Sequence, residues 1–564
     1  MIKMFAVPTF EAFEEKIGLN ARQISLLLIS ISTILWSVSM LFSKMEIGSY
    51  GLIHGINPLF FVSMSILILS FFITIQKNIK DNFLLVLHLS LIIIFYASIT
   101  VLIEGTPRFP YNFETSKSVD YILQYGHSNS EIIHYQTWPG MFYFGAIESL
   151  LTNISPVNSL LIIPLIFIIP NTLMGFLLFS TFLNKKETWI ALLLANALIF
   201  GAPIYLLPGV ISGMMVSYAL LLFFRFEVFN DRASISSRTI FIIFCMAAVA
   251  SHFLSTMYLL FALLFMSGLL FIFKHKIDRK FILVFVLIAA FQVYVAGSYA
   301  MDQIGGSVLT ALDLEKTVND VAGMAFGGSE EHQNVVYVRI ISMLLLVILA
   351  ALGFFYEILI KKKWSLKNLT LPVWFGANTS LTLITSYSGE ILSRTFAQSM
   401  SILQMLSAKL IYNKKLSIVL LIILLISPPI SIVNAYGNEL IDYVSPAEIT
   451  GANFLFDHSN NSSIVISFQP RTLGMKYSDK LENWNTLSGL TQEVDISQKV
   501  ENMNLQYIKM YNNFYVLVGI RDMESYEFGR NKVNLDNIRI LETGNISDRI
   551  YDNKEFILYR TGVL

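Results

Sequence analysis

Between positions 104 and 157 the chain gathers side chains of the kind that build a group-transfer site. It reads Glu-Gly-Thr-Pro-Arg-Phe-Pro-Tyr-Asn-Phe at 104–113, Ser-Val-Asp-Tyr-Ile-Leu-Gln-Tyr-Gly-His at 118–127 and His-Tyr-Gln-Thr-Trp-Pro-Gly at 134–140. Glu104 stands where an apolar run ends. A carboxylate at that boundary is partly dehydrated, which suits it to taking a proton from a hydroxyl or amide. Asp120 supplies a second carboxylate. Arg108 can hold phosphate, while His127, His134, Tyr135 and Trp138 add imidazoles and rings able to bind or stack on a sugar. The plainer reading of Glu104 is that it marks the edge of water, as such residues often do. The crowding of further candidates around it is what favours chemistry.

A second group lies later in the chain. Ser386-Tyr387-Ser388-Gly389-Glu390 leads into Arg394, and a spacing of four puts Glu390 and Arg394 on one helix face. They can form a local ion pair, or Arg394 can reach a lipid phosphate while Glu390 orients it. His252 interrupts an apolar run in Ala-Ser-His-Phe-Leu-Ser-Thr, and an imidazole facing lipid is costly, so it should face the bundle interior or a polar cavity. Pro203 and Pro208-Gly209 can shape a groove or simply end helices. Loop 301–336 carries Asp302, Asp313, Glu315, Asp320, Glu330 and Glu331 beside Gly305-Gly306 and Gly327-Gly328, the make-up of a gating segment or of a solvated loop. No EF-hand, P-loop, dinucleotide fingerprint or Gly-x-Ser-x-Gly elbow is present. No spacing demands a metal, so the cofactor stays open, with a divalent cation on oxygen ligands as one option.

The elements that must position these residues are membrane helices. Of 564 residues 55% are hydrophobic and 14% charged, and the mean hydropathy is +0.62, outside the range of soluble globular proteins. A span needs about 20 apolar residues. Thirteen candidates fall near 23–43, 57–76, 82–103, 158–183, 187–206, 208–228, 239–252, 254–273, 280–300, 337–360, 371–388, 393–412 and 416–436. Residues 115–126 and 138–152 have helical periodicity but are short, as helices lying along the interface would be. The loops holding Lys185, Lys186, Lys361, Lys362, Lys363, Lys414 and Lys415 are expected on the cytoplasmic side. Residues 1–22 then form a cytoplasmic segment and the odd span count places the tail outside. That tail, 437–564, is read as a small soluble α/β domain. Ser445-Pro446-Ala447-Glu448 is a capping box opening a helix to about His458. Strands are expected at Ser463–Phe468, at 506–510 paired with 514–520, and at 549–551 paired with 555–559. Zero net charge gives no basis for nucleic-acid binding, and the single cysteine, Cys245, excludes an intrachain disulfide and a Cys-ligated cluster.

This pattern resembles the GT-C superfamily of membrane glycosyltransferases, and within it the archaeal-type, polyprenyl- or dolichyl-phosphate-sugar-dependent proteins. The likeness is carried by Glu104-Gly-Thr-Pro-Arg108, Val119-Asp-Tyr-Ile-Leu, His134-Tyr-Gln-Thr-Trp138-Pro-Gly, Ser251-His252-Phe-Leu-Ser, Gly389-Glu390-Ile-Leu-Ser-Arg394 and Arg549-Ile-Tyr-Asp-Asn553. It implies an α-helical polytopic GT-C-like fold in the cell membrane. It also implies transfer of a sugar, usually with inversion, from a lipid-linked donor to a glycan, lipid or protein acceptor outside the cytoplasm. Under that resemblance Glu104 is the general base with Asp120 as second carboxylate, and Arg394 holds the phosphate. Competing readings are a polysaccharide ligase or polymerase using a diphosphate-linked donor, a transporter, and a catalytically silent membrane protein whose outer domain binds a partner. Against the transporter, ionisable residues avoid the span centres and no pair of interrupted helices recurs in the two halves.

Overall fold

In the computed structural model the described residues are 19–77, 81–131, 133–198, 208–229, 235–275, 282–295, 328–362, 364–383, 391–459, 463–467, 476–477, 481–484, 513–519 and 547–561. Most of the acidic loop 301–336 lies outside them, as do Glu390 and the expected strand 506–510. The helices are α1 (Ala21–Phe42), α2 (Leu59–Gln76), α3 (Asn82–Ile99), α4 (Pro110–Tyr125), α5 (Gly140–Thr152), α6 (Pro156–Phe182), α7 (Lys185–Ala197) and α8 (Pro208–Phe223). They continue as α9 (Ile235–Ser251), α10 (Phe253–Ile272), α11 (Ile282–Val295), α12 (Glu330–Phe355), α13 (Leu366–Ser380), α14 (Ile391–Ala408) and α15 (Lys414–Tyr436). Every one of the thirteen expected spans meets a helix, in whole or in part. Among the described residues eight helical stretches are long and apolar enough to cross a membrane, and α9 and α11 are shorter apolar ones. The chain is an α-helical polytopic membrane protein.

Helix starts follow local chemistry. Asn20 with Gln23, and Asn184 with Glu187, form capping boxes, while Asp81 and Ser155 cap α3 and α6. α5 is 13 residues long, about 20 Å at 1.5 Å per residue, and is too short to cross. It exposes Tyr143, Phe144, Ile147, Leu150 and Leu151, as a helix lying in the interface would. Within the first three helices Ser25, Ser70, Thr74 and His88 bond to one another, so the buried polar groups satisfy themselves away from water. Where α12 passes α14, Gly353 lies so close to the Leu406 carbonyl oxygen that a Cβ would overlap it, the close backbone approach that small residues allow between membrane helices.

The chain then turns through α16 (Glu439–Asp442) into α17 (Pro446–His458), which opens on the Ser445–Glu448 capping box. Five strands follow: β1 (Ser463–Ser467), β2 (Leu481–Trp484), β3 (Asn513–Gly519), β4 (Ser547–Asp552) and β5 (Phe556–Thr561). Their order is β2-β1-β3-β5-β4, with β1 parallel to β2 and β3, and β5 antiparallel to β3 and β4. The β4–β5 hairpin matches expectation, but its turn falls at Asn553–Glu555, with Lys554 at a φ of 76°. β3 pairs with β1 and β5. Phe113 of α4 is buried in the same cluster as Val444, Ala452, Leu455, Val465, Tyr515 and Phe556, so the tail's core is continuous with the loop after α3.

Gly353→Ala is expected to force α12 and α14 apart at a cost of about 1–3 kcal/mol, seen as a lower thermal midpoint in detergent. Gly268→Ala, which meets nothing within 4 Å, should leave the midpoint unchanged.

Candidate functional site

The root of the first large loop is a buried ionic cluster. α3 widens into a π turn, Thr100–Glu104, and Gly105 closes it at a φ of 68°, a conformation that favours glycine. Four residues on, the Arg108 Nε lies 3.1 Å from Glu104 Oε1, and its Nη2 donates to Glu439 Oε1 and to the Ala435 carbonyl at 3.1 Å. The guanidinium stacks 4.3 Å from the Tyr436 ring centroid and 4.8 Å from that of Phe109. The Thr106 hydroxyl donates to the Val444 carbonyl at 2.6 Å, and the Phe109 N–H to that of Asp442 at 2.7 Å. Phe109 takes a φ of 64°, where its N–H bond to Asp442 and the packing of its ring on Arg108 hold it. The side chains of Glu104, Arg108 and Glu439 are at most 1% exposed. The void bordering Arg108 is about 10 Å³, room for one water at most. In this arrangement Glu104 is an ion-pair partner sealed from solvent.

Asp120 stands elsewhere on the loop, half-buried on α4. Its Oδ2 accepts from Gln124 Nε2 and from the Tyr477 N–H, each at 2.9 Å. Burial pushes the carboxyl above its ordinary value, and the two hydrogen bonds oppose that rise. Beside it is a group of rings: Tyr121 lies 4.7 Å from Tyr125 and 4.7 Å, edge-on, from Tyr477, with His127 at 6.0 Å. Tyr125 and His127 are exposed. A carboxylate, an amide and adjacent rings are the groups that hold a sugar hydroxyl and its apolar face. The Tyr121–Tyr125 repeat around Asp120 could have been read from the sequence, whereas Tyr477 is brought in by the fold alone.

The third group forms where α8, the α9–α10 break, α14 and the start of α5 converge. His252 caps α10: its Nδ1 accepts the Ser255 N–H at 3.3 Å, which leaves the ring proton on Nε2. That edge of the ring faces the first turn of α8. A Cβ built on Gly209 would stand 3.5 Å from His252 Nε2 and 3.7 Å from Arg394 Nη1. Gly209 therefore marks where imidazole and guanidinium meet the helix N-terminus, whose dipole favours an anion. The Trp138 ring packs 5.6 Å from Phe253, and its Nε1 is buried with no hydrogen-bond partner among the described residues. A buried orphan donor packed on the residue that follows His252 is suited to an anionic oxygen.

The sequence candidates thus fall into three groups: Glu104 with Arg108, Asp120 with His127, and Trp138 with His252 and Arg394. α5 links the second to the third. Gly140 at its start abuts Ser251, and Gly145 in its middle abuts Val119, each where a Cβ would lie 2.8 Å from the neighbouring side chain. The side chains of His134 and Tyr135, in the turn before α5, and Glu390 lie outside what is described. Among the described residues no group of three or more His, Cys, Asp or Glu is placed to hold a metal ion.

No protein-family model matches the chain, and no curated protein matches it. Solved structures do resemble it. One is the Archaeoglobus fulgidus oligosaccharyltransferase in complex with zinc and sulfate, 14% identical over 84% of this chain and 72% of that one, with a TM-score of 0.49. Another is ArnT from Cupriavidus metallidurans bound to undecaprenyl phosphate, 9% identical over 84% of this chain and 97% of that one, with a TM-score of 0.47.

Arg108→Met is expected to leave Glu104 and Glu439 buried without their shared cation and to destabilise the protein by about 3–5 kcal/mol, read as a lower unfolding midpoint in detergent. Adding Glu104→Gln and Glu439→Gln to that variant should restore most of the loss.

Proposed function

We propose that the chain is a membrane glycosyltransferase that moves a sugar from a polyprenyl-phosphate donor to an acceptor at the tail-side face. The reading rests on the meeting of Arg394, His252 and the first turn of α8 at Gly209. It is supported by the buried, partnerless Nε1 of Trp138 and by the sequence resemblance to the GT-C superfamily. The tail side is the extracytoplasmic side in this reading, because the opposite end of the bundle carries the lysine-rich loops.

The donor's phosphate rests on the Arg394 guanidinium, the His252 Nε2–H, the Trp138 Nε1–H and the α8 N-terminus. An acceptor oxygen attacks the anomeric carbon from the face opposite the phosphate, so the new glycosidic bond forms with inversion as the C1–O bond breaks. The phosphate leaves with the bonding electrons, and its growing charge is stabilised by the same four donors. Asp120 takes the acceptor's proton, since its carboxylate is reachable and burial raises its proton affinity. Tyr121, Tyr125 and Tyr477 line the sugar. Glu104 and Arg108 hold the loop's root in register instead of meeting substrate.

Purified protein incubated with radiolabelled polyprenyl-phosphate sugars tests these roles. Arg394→Ala is expected to lower donor consumption by about 10²–10³-fold, and Asp120→Asn by about 10²–10⁴-fold with donor binding kept. Glu104→Gln should keep activity in the fraction that folds. Full activity of Asp120→Asn with none in folded Glu104→Gln would return the base to Glu104. Donor binding with no consumption by the wild type would favour a binding protein.

A further inference from the structure

A cavity of about 1260 Å³ runs between α3 and α6, both of which pack against α7 at its floor. On α3 it extends from Asn82 to Leu102, a rise of about 30 Å, the thickness of a bilayer's hydrocarbon. Its walls are apolar and open to lipid: Val86, Ile94, Leu102, Ile169 and Leu173 are 49–72% exposed. Bulk acyl chains could fill such a groove without preference. Its two ends differ, however. The tail-side end is closed by Val101, Leu102 and Leu165, whereas the opposite end is polar and carries Asn82, Lys185 and Thr188.

Among the described residues the charges at that polar mouth can be followed one by one. Asp81 is paired with Arg22 at 3.0 Å, and Lys186 donates to Gln76 Oε1 at 2.7 Å. Glu187 is buried in its capping box, accepting the Asn184 N–H at 3.1 Å. Lys185 is exposed and makes no ion pair among the described residues, and it stands in the first turn of α7, on the positive end of that helix. The mouth is therefore cationic, at the level where a headgroup of that leaflet lies.

We infer that the α3–α6 groove is a binding site for one anionic phospholipid of the leaflet at the lysine-rich end. Its phosphate meets Lys185 and Asn82, and its chains lie along α3 and α6. This site is separate from the phosphate cradle at Gly209, which α8, α10 and α14 build on the tail side, so it stands or falls independently of the proposed activity.

Native mass spectrometry of the full chain, delipidated in detergent and titrated with phosphatidylglycerol or phosphatidylcholine of identical acyl chains, is the test. Wild type should retain one phosphatidylglycerol in preference to phosphatidylcholine. Lys185→Gln should weaken phosphatidylglycerol retention about fivefold and leave phosphatidylcholine unchanged. Ile169→Trp, which fills the groove, should reduce both. Equal retention of the two lipids by wild type would overturn the inference in favour of bulk lipid, as would a Lys185→Gln variant that keeps its preference. If undecaprenyl phosphate displaces the phosphatidylglycerol and Ile169→Trp abolishes its binding, the groove belongs to a polyprenyl tail and the inference is also overturned.

Discussion

Arg108 sits between Glu104 and Glu439 with all three side chains out of water, and two carboxylates could not stay charged there without it. The pairing ties the end of α3 to the short helix after α15, positions 331 residues apart in the chain. Bonds from Thr106 and Phe109 to the carbonyls of Val444 and Asp442 run alongside it. Loop and tail are thereby fixed as one unit, and Phe113 carries the tail's apolar core down into α4. The helices α4 and α5 are aimed from this root, because α4 leaves it directly and α5 packs on α4.

From that root α5 acts as a strut. It is too short to cross the bilayer, so it lies where apolar and polar surroundings meet, and it uses glycine at both contacts that matter. Gly140 lets its first turn close on Ser251, next to His252, and Gly145 lets its middle close on Val119, next to Asp120. The Gln136 amide adds a bond to the Ser118 carbonyl at 3.0 Å. The turn at His252 and the face around Asp120 are thus both packed against one helix. A reaction that needs a leaving phosphate and a proton acceptor in fixed relation gains from such a support.

The membrane fold was legible because hydropathy and helix length report directly on the bilayer: each apolar run of span length is helical where it is described. The capping box at Ser445 was a local signal of the same quality, and the one at Asn184 was there to be read in Asn184-Lys-Lys-Glu187 but was not. The β4–β5 hairpin was visible from turn residues, but β2 was not, since Leu481–Trp484 has no alternating pattern. At the site, the sequence set out one crowded stretch at 104–138, a separate Glu390–Arg394 pair and His252 alone, whereas the fold ties Arg108 to Glu104, leaves Asp120 and His127 apart from them, and brings His252 and Arg394 together at Gly209. Glu104 and Arg108 at a spacing of four were open to pairing, yet nothing local announces Glu439 as a third member. Likewise the Tyr477 N–H reaches Asp120 across 357 residues. What the sequence could not carry is long-range partnership, and partnership decides whether a carboxylate is a base or a counter-ion.

The make-up of the cradle also bears on the donor. Among its described members Arg394 is the one full cation; His252 is held as a neutral ring by its Nδ1 acceptor bond, Trp138 is a neutral donor, and the α8 N-terminus contributes about half a charge. In a site of low dielectric each unbalanced charge is costly, so ligand and site charges should nearly match. In the proposed reading, Arg394 with neutral donors around it matches a single phosphodiester, which carries one negative charge. A diphosphate would bring about twice that charge to the same donors. Under the proposed function, these mostly neutral donors fit a monophosphate-linked sugar better than a diphosphate-linked one.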